Sequence, residues 1–199
     1  MRGWLAAMLI ALVGMGGGAA GMVAGCATRD DGSPGDGRRV TKLPQPGPEL
    51  SQELMIALAM ARNYHHKAEI YLKEARIEQA TTAVRQVLSI QFPTGSSEGE
   101  DIELDARARL AKLLVPQGKL DEAMAVVNEG IARAHRHSFF LANLHSVRGE
   151  VLEARAAKLA ERDKGQAAAA RREAIESYDQ AIQIEKALIE QLSGGEEAE

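Results

Sequence analysis

From Glu49 onward apolar residues recur every three or four positions, and that 3.6-residue period restricts the chain to helices packed on helices. Leu54, Leu58, Ala61, Tyr64, Ala68 and Tyr71 make the first stripe. Pro48 lies just ahead, where a missing N–H costs nothing, and Ser51 is placed to cap the first turn, which predicts a helix over about 50–74. Ile77, Ala80, Val84, Val87 and Leu88 predict a second that closes at Phe92-Pro93, and residues 94–99 read as a loop by composition. A third helix is expected over Ile102 to Val115, stopped by Pro116 and Gly118, and a fourth over Leu120 to about Ala134. A fifth runs from near Ser138 to about Arg162, and a sixth from about Gln166 to Leu192. The tail over residues 193–199 is Gly-rich and acidic and should fray.

Composition excludes several classes of function. Aromatic residues are 4% of the chain and no long β-branched alternation occurs, which argues against a sheet. The formal charge is −4, and loss of residues 1–25 removes Arg2 and leaves −5, so the electrostatic footprint of a nucleic-acid binder is missing. No phosphate loop, dinucleotide fingerprint or nucleophile elbow is visible, and neither an enzyme nor a cofactor is expected. His65 and His66 are adjacent and diverge by about 100° on a helix, so they cannot both face one ion. His135, His137 and His145 cluster around one turn and leave a metal-binding or enzymatic role open. They lack a ligand spacing such as His-x-x-x-His, and a histidine favoured by a helix C-terminus accounts for them better.

Residues 1–25 combine a single charge, Arg2, with an apolar centre and a tail rich in glycine, the pattern of a secretory signal. They end on Val23-Ala24-Gly25-Cys26, at the sole cysteine. This motif resembles the lipobox of bacterial lipoproteins. The resemblance implies cleavage between Gly25 and Cys26 and a covalent diacylglyceryl lipid, with acylation such as palmitate, on Cys26. Two or three acyl chains hold a protein stably at a bilayer where one does not. Ala27 stands where an aspartate would favour inner-membrane retention, so the resemblance leans toward the periplasmic face of the outer membrane. A transmembrane anchor over Gly3 to Gly25 is the alternative, weakened by its glycines. The segment 26–48, crowded with Pro, Gly, Asp and Arg, cannot bury enough surface to order itself and reads as a tether.

The hairpins carry a second resemblance. Tyr64, Ala68, Tyr71, Ala80, Val84 and Leu88 follow the tetratricopeptide-repeat pattern of large and small positions, with Ala80 twelve residues after Ala68. Ala111, Leu114, Gly118, Ala123, Val127 and Ile131 follow it again. Gly149 and Leu152, then Ala174, Tyr178, Ala181 and Ile182, give a third match stretched to 25 residues between its small positions. The spacing from Ala68 to Ala111 is 43 residues rather than the usual 34 or so. The chain over 49–192 therefore resembles a tetratricopeptide-repeat protein: all-α, an αα-hairpin solenoid of about six helices with the last hairpin elongated.

That resemblance implies a concave groove on the first helix of each hairpin that takes up peptides or partner proteins. By register the groove would carry Arg62, His65, Glu69, Leu72 and Lys73, then Asp105, Ala108 and Lys112. Ala154, Ala156, Ala157, Ala160 and Ala167 to Ala170 suggest a slim last hairpin whose far end projects beyond the core. The expected role is an envelope scaffold or assembly factor, similar to pilotin-type lipoproteins, with the bilayer and other envelope proteins as partners and no small-molecule substrate.

Overall fold

A computed structural model describes residues 51–194. The signal segment, Gly25, Cys26, the tether and residues 195–199 lie outside the described residues. Six helices follow in order: α1 (Gln52–Lys73), α2 (Ile77–Leu88), α3 (Ser97–Leu114), α4 (Leu120–Arg133), α5 (Phe139–Leu159) and α6 (Lys164–Gly194). They pair as three hairpins, α1 with α2, α3 with α4 and α5 with α6, and each hairpin packs on the next through α2–α3 and α4–α5. The odd-numbered helices also touch one another, α1 on α3 and α3 on α5, whereas no two even-numbered helices meet. The array is therefore an all-α solenoid with α1, α3 and α5 along one face. Among the described residues no helix is long and apolar enough to cross a membrane.

The core is continuous across the hairpins. Ala61, Ala80, Val84, Val87, Leu104, Ala111, Leu114, Ala123, Val127, Leu144 and Val147 are almost wholly removed from solvent. Its small residues occupy the repeat positions, since Ala68, Ala80, Ala111, Ala123, Gly149 and Ala174 are all buried. At such positions two helices approach too closely for a larger side chain. Gly149 makes the constraint explicit: a Cβ there would sit 2.6 Å from the Tyr178 ring carbon Cζ on α6.

Helix starts follow side-chain caps. Ser51 accepts from the Leu54 N–H at 3.2 Å, the cap expected there, and Ser138, at the expected start of α5, accepts from the Leu141 N–H at 3.2 Å. Helix α3 begins at Ser97, five residues ahead of the expected Ile102, because the Ser96 hydroxyl accepts from the Gly99 N–H at 2.9 Å. The loop-like glycine is retained inside the helix by packing: a Cβ on Gly99 would lie 2.7 Å from Cβ of Phe92. Helix α2 ends at Leu88 rather than Phe92-Pro93, with Ile90 tucked into the core beyond it. Pro93 disfavours helical geometry at the residue before it. Helix α6 starts two residues early, at Lys164, where the Asp163 carboxylate accepts from the Gln166 N–H at 2.9 Å. It extends to Gly194, with the Ser193 hydroxyl donating to the Ile189 carbonyl at 3.0 Å, and the rest of the tail expected to fray lies outside the described residues.

The far end of the last hairpin does not stand free. Arg155 on α5 pairs with Asp121 at the start of α4, and Leu159 and Gln166 face Gly118 and Leu120 across one small cleft. Ala156, Ala167 and Ala170 are buried within the hairpin itself. Ile182, expected at an inward repeat position, is 45% exposed because no helix follows α6 to cover it among the described residues.

The first two hairpins turn alike. In α3–α4 the Lys119 N–H donates to the Leu114 carbonyl at 3.1 Å around Gly118, whose φ is +72°. In α1–α2 the Arg76 N–H donates to the Tyr71 carbonyl at 2.8 Å around Ala75, whose φ is +57°. This is the Schellman geometry, which glycine adopts freely and an L-residue with a Cβ does not. Left-handed backbone costs an L-residue roughly 1–2 kcal/mol, and glycine returns about 0.5–1 kcal/mol through unfolded-state entropy. Ala75→Gly is therefore expected to stabilise the fold by up to about 1 kcal/mol, raising the thermal midpoint by roughly 2 °C. Calorimetry checks it, and Gly118→Ala should show the opposite shift.

Candidate partner groove

The face formed by α1, α3 and α5 places charged side chains at matching points of successive hairpins. Glu69, Lys112 and Glu150 each follow the small residue of their first helix, Ala68, Ala111 and Gly149. Lys112 Nζ lies 3.1 Å from Glu150 Oε1, an ion pair from α3 to α5. Between α1 and α3 the link is Arg109: its Nε donates to Asp105 Oδ2 at 2.6 Å, and its Nη1 lies 3.8 Å from Glu69 Oε1. Acid and base thus alternate across three helices. Each pair is exposed or half-exposed and worth at most about 1 kcal/mol, so the ladder sets the chemical character of the face more than its stability.

His65 sits beneath this ladder. Its side chain is 12% exposed, and Nε2 is 3.8 Å from Asp105 Oδ2, within ion-pair range but beyond a hydrogen bond. Neither ring nitrogen has a hydrogen-bond partner. Burial, then the Arg109 guanidinium, holds the imidazole below its ordinary pKa, outweighing the pull of Asp105 and Glu69. A neutral ring wedged between helices is a packing element.

Of the residues placed on the groove by register, Arg62, Glu69, Leu72, Lys73 and Lys112 are exposed, and Asp105 is half-buried. Ala108 is not a groove residue. It is 1% exposed, because α3 is flanked by α1, α2, α4 and α5 and only a narrow strip of it reaches solvent. Arg109 and Glu150, which register had not singled out, belong to the face. Arg109 lies one helical turn after Asp105, and Glu150 follows the Gly149 already matched to the repeat, so both were within reach of the same spacing.

The turn histidines do not converge on a metal site. His135 is exposed, with its backbone N–H donating to Glu100 Oε1 at 3.0 Å, and His137 is exposed as well. His145 is half-buried, and burial, then Arg148, lowers its pKa. Among the described residues no group of three His, Cys, Asp or Glu side chains is placed to hold a metal ion. On the opposite side of α3, a cavity of about 400 Å³ is lined by Phe92, Glu103, Arg107, Glu129 and Arg133. Arg107 there is buried, yet Glu103 and Glu129 accept from it at 3.2 and 3.3 Å, which leaves it no free charge for a ligand.

Residues 61–93, most of the first hairpin, match the tetratricopeptide repeat family. No curated protein and no solved structure matches the chain. With the matched segment spanning the small positions Ala68 and Ala80 and the Ala75 turn, the fold is a tetratricopeptide-repeat-like solenoid. The repeat points to a role in protein–protein interaction.

The two depressed histidines make stability depend on pH. In the unfolded chain they titrate near 6.5, and in the fold they titrate lower. As pH falls through that window the unfolded chain binds protons the folded chain refuses, so acidification favours unfolding. Stability is expected to drop from pH 7.5 to 5.5, and the drop should shrink in His65→Gln/His145→Gln. Urea midpoints at the two pH values measure it.

Proposed function

We propose that this chain is a lipid-anchored scaffold of a bacterial envelope, whose solenoid binds a partner protein along the charged face of α1, α3 and α5. The observation that carries the binding role is the alternating ladder of Glu69, Arg109, Lys112 and Glu150 on a repeat fold. Its alternating charges suit a polar, mixed-charge segment, whose side chains exchange with ion pairs that are individually weak. The partner would displace the intramolecular pairs and form its own with the same groups.

The anchor rests on the sequence. Val23-Ala24-Gly25-Cys26 closes an apolar segment at the sole cysteine, and a polar tether follows. Lipid on Cys26 would hold the chain at the periplasmic face of the outer membrane. A coil of some twenty residues would give the solenoid a reach of roughly 25 Å. A scaffold held in this way suits an assembly factor of the pilotin or pilus-biogenesis type.

The anchor is tested by intact mass. Protein extracted from membranes should begin at Cys26 and carry the added mass of two or three acyl chains, and Cys26→Ala should leave the membrane fraction. A mass that retains residues 1–25 without lipid contradicts the anchor. For the groove, Lys112→Glu should weaken partner cross-linking in envelope extracts, whereas Glu78→Lys on α2, away from that face and from α6, should not.

A further inference from the structure

Helix α6 carries two apolar seams, and α5 covers one of them. Ala167, Ala170, Ala174, Ser177, Ala181 and Ile184 are buried at alternating steps of three and four, the spacing of a helix-pair seam. Helix α6 packs on no other described helix. Beside that seam Ile175, Ile182 and Ile189 stand 60, 45 and 65% exposed, seven residues apart. A seven-residue step drifts only about 20° around a helix, so the three form a nearly straight row about 21 Å long. Single exposed isoleucines are ordinary on a surface, but three in heptad register repeat the pattern of a helix–helix contact.

The charges beside the row indicate what covers it. Arg172, Asp179, Lys186 and Glu190 are all exposed and lie on its flank away from α5. A two-fold axis through Ile182 that pairs α6 antiparallel with itself sets Ile175 opposite Ile189 of the partner subunit. It also sets Asp179 beside the partner's Lys186 and Arg172 beside the partner's Glu190. Each of these contacts occurs twice and joins opposite charges. A parallel pairing would bring Arg172 against the partner's Arg171. It would gain one opposite-charge contact, Lys186 with the partner's Glu185, where the antiparallel pairing gains two and opposes no like charges. We propose that α6 is the contact of an antiparallel homodimer, with the Ile175–Ile182–Ile189 row packed on the same row of a second copy.

Such an isologous contact needs no complementary second surface, only one that matches itself under the two-fold. One helix pair of this length is small beside the roughly 1,200–2,000 Å² of stable interfaces, so the dimer should depend on concentration. It lies on the last helix and leaves the α1–α3–α5 face open, so its failure would not touch the proposed binding role.

Sedimentation velocity of the full chain in detergent over a concentration series tests this. The solenoid should pass from monomer to dimer as concentration rises. Ile182→Glu, which brings two carboxylates together at the axis, should weaken association by roughly tenfold or more. Lys186→Asp should weaken it too, and adding Asp179→Lys should restore it, because the double swap rebuilds both opposite-charge pairs. These side chains are exposed, so circular dichroism should be unchanged in every variant. A monomer throughout the series, association untouched by Ile182→Glu, or a double swap no stronger than Lys186→Asp would each overturn the proposal.

Discussion

The close crossing of helices at small side chains is the constraint on which the other features depend. Ala68 and Ala80, Ala111 and Ala123, and Gly149 and Ala174 are buried in the three hairpins in turn. Helix axes approach to 8–10 Å only where the contact residues allow it, and interiors packed to crystal density leave no slack for a larger group. Because the same contact recurs, the first helices of the hairpins come into register. Residues one step beyond the small position then reach solvent on one face. Glu69, Lys112 and Glu150 are displayed in a row for that reason.

The third hairpin keeps this crossing while changing the length between its small positions. The 25 residues from Gly149 to Ala174 extend α5 and α6 beyond the repeat, and the added turns pack through Ala156, Ala167 and Ala170. Arg155 ties that extension back to Asp121 of α4. Length was added along the hairpin axis, where it leaves the neighbouring contact undisturbed. The uncovered side of α6, where the isoleucine row stands, lies beyond that extension and arises because α6 packs on no described helix but α5.

Much of this fold was legible because periodicity, caps and small residues each have a local signature. The cap at Ser51, the helix start near Ser138 and the stop at Gly118 were legible in the sequence because a cap or a turn needs few neighbours. What escaped was decided by tertiary contact. Gly99 looks like loop punctuation but lies in α3 because Phe92 occupies the space of its Cβ. Ala75 shows no glycine signal, yet the hairpin imposes a left-handed turn on it. Ala108 fell on the groove by register, but α3 is enclosed by neighbours on both sides. Ile182 fitted a buried repeat position, and the absence of a following described helix exposes it.

The account is tested most directly by unfolding Ala111→Leu in urea beside Ala125→Leu. Ala111 is wholly buried at the small position of the middle hairpin, whereas Ala125 is exposed on α4. If close crossing governs the solenoid, the Ala111 substitution should cost about 1–3 kcal/mol, and the Ala125 substitution should change stability by less than about 0.5 kcal/mol. Equal and negligible effects at both positions would contradict it.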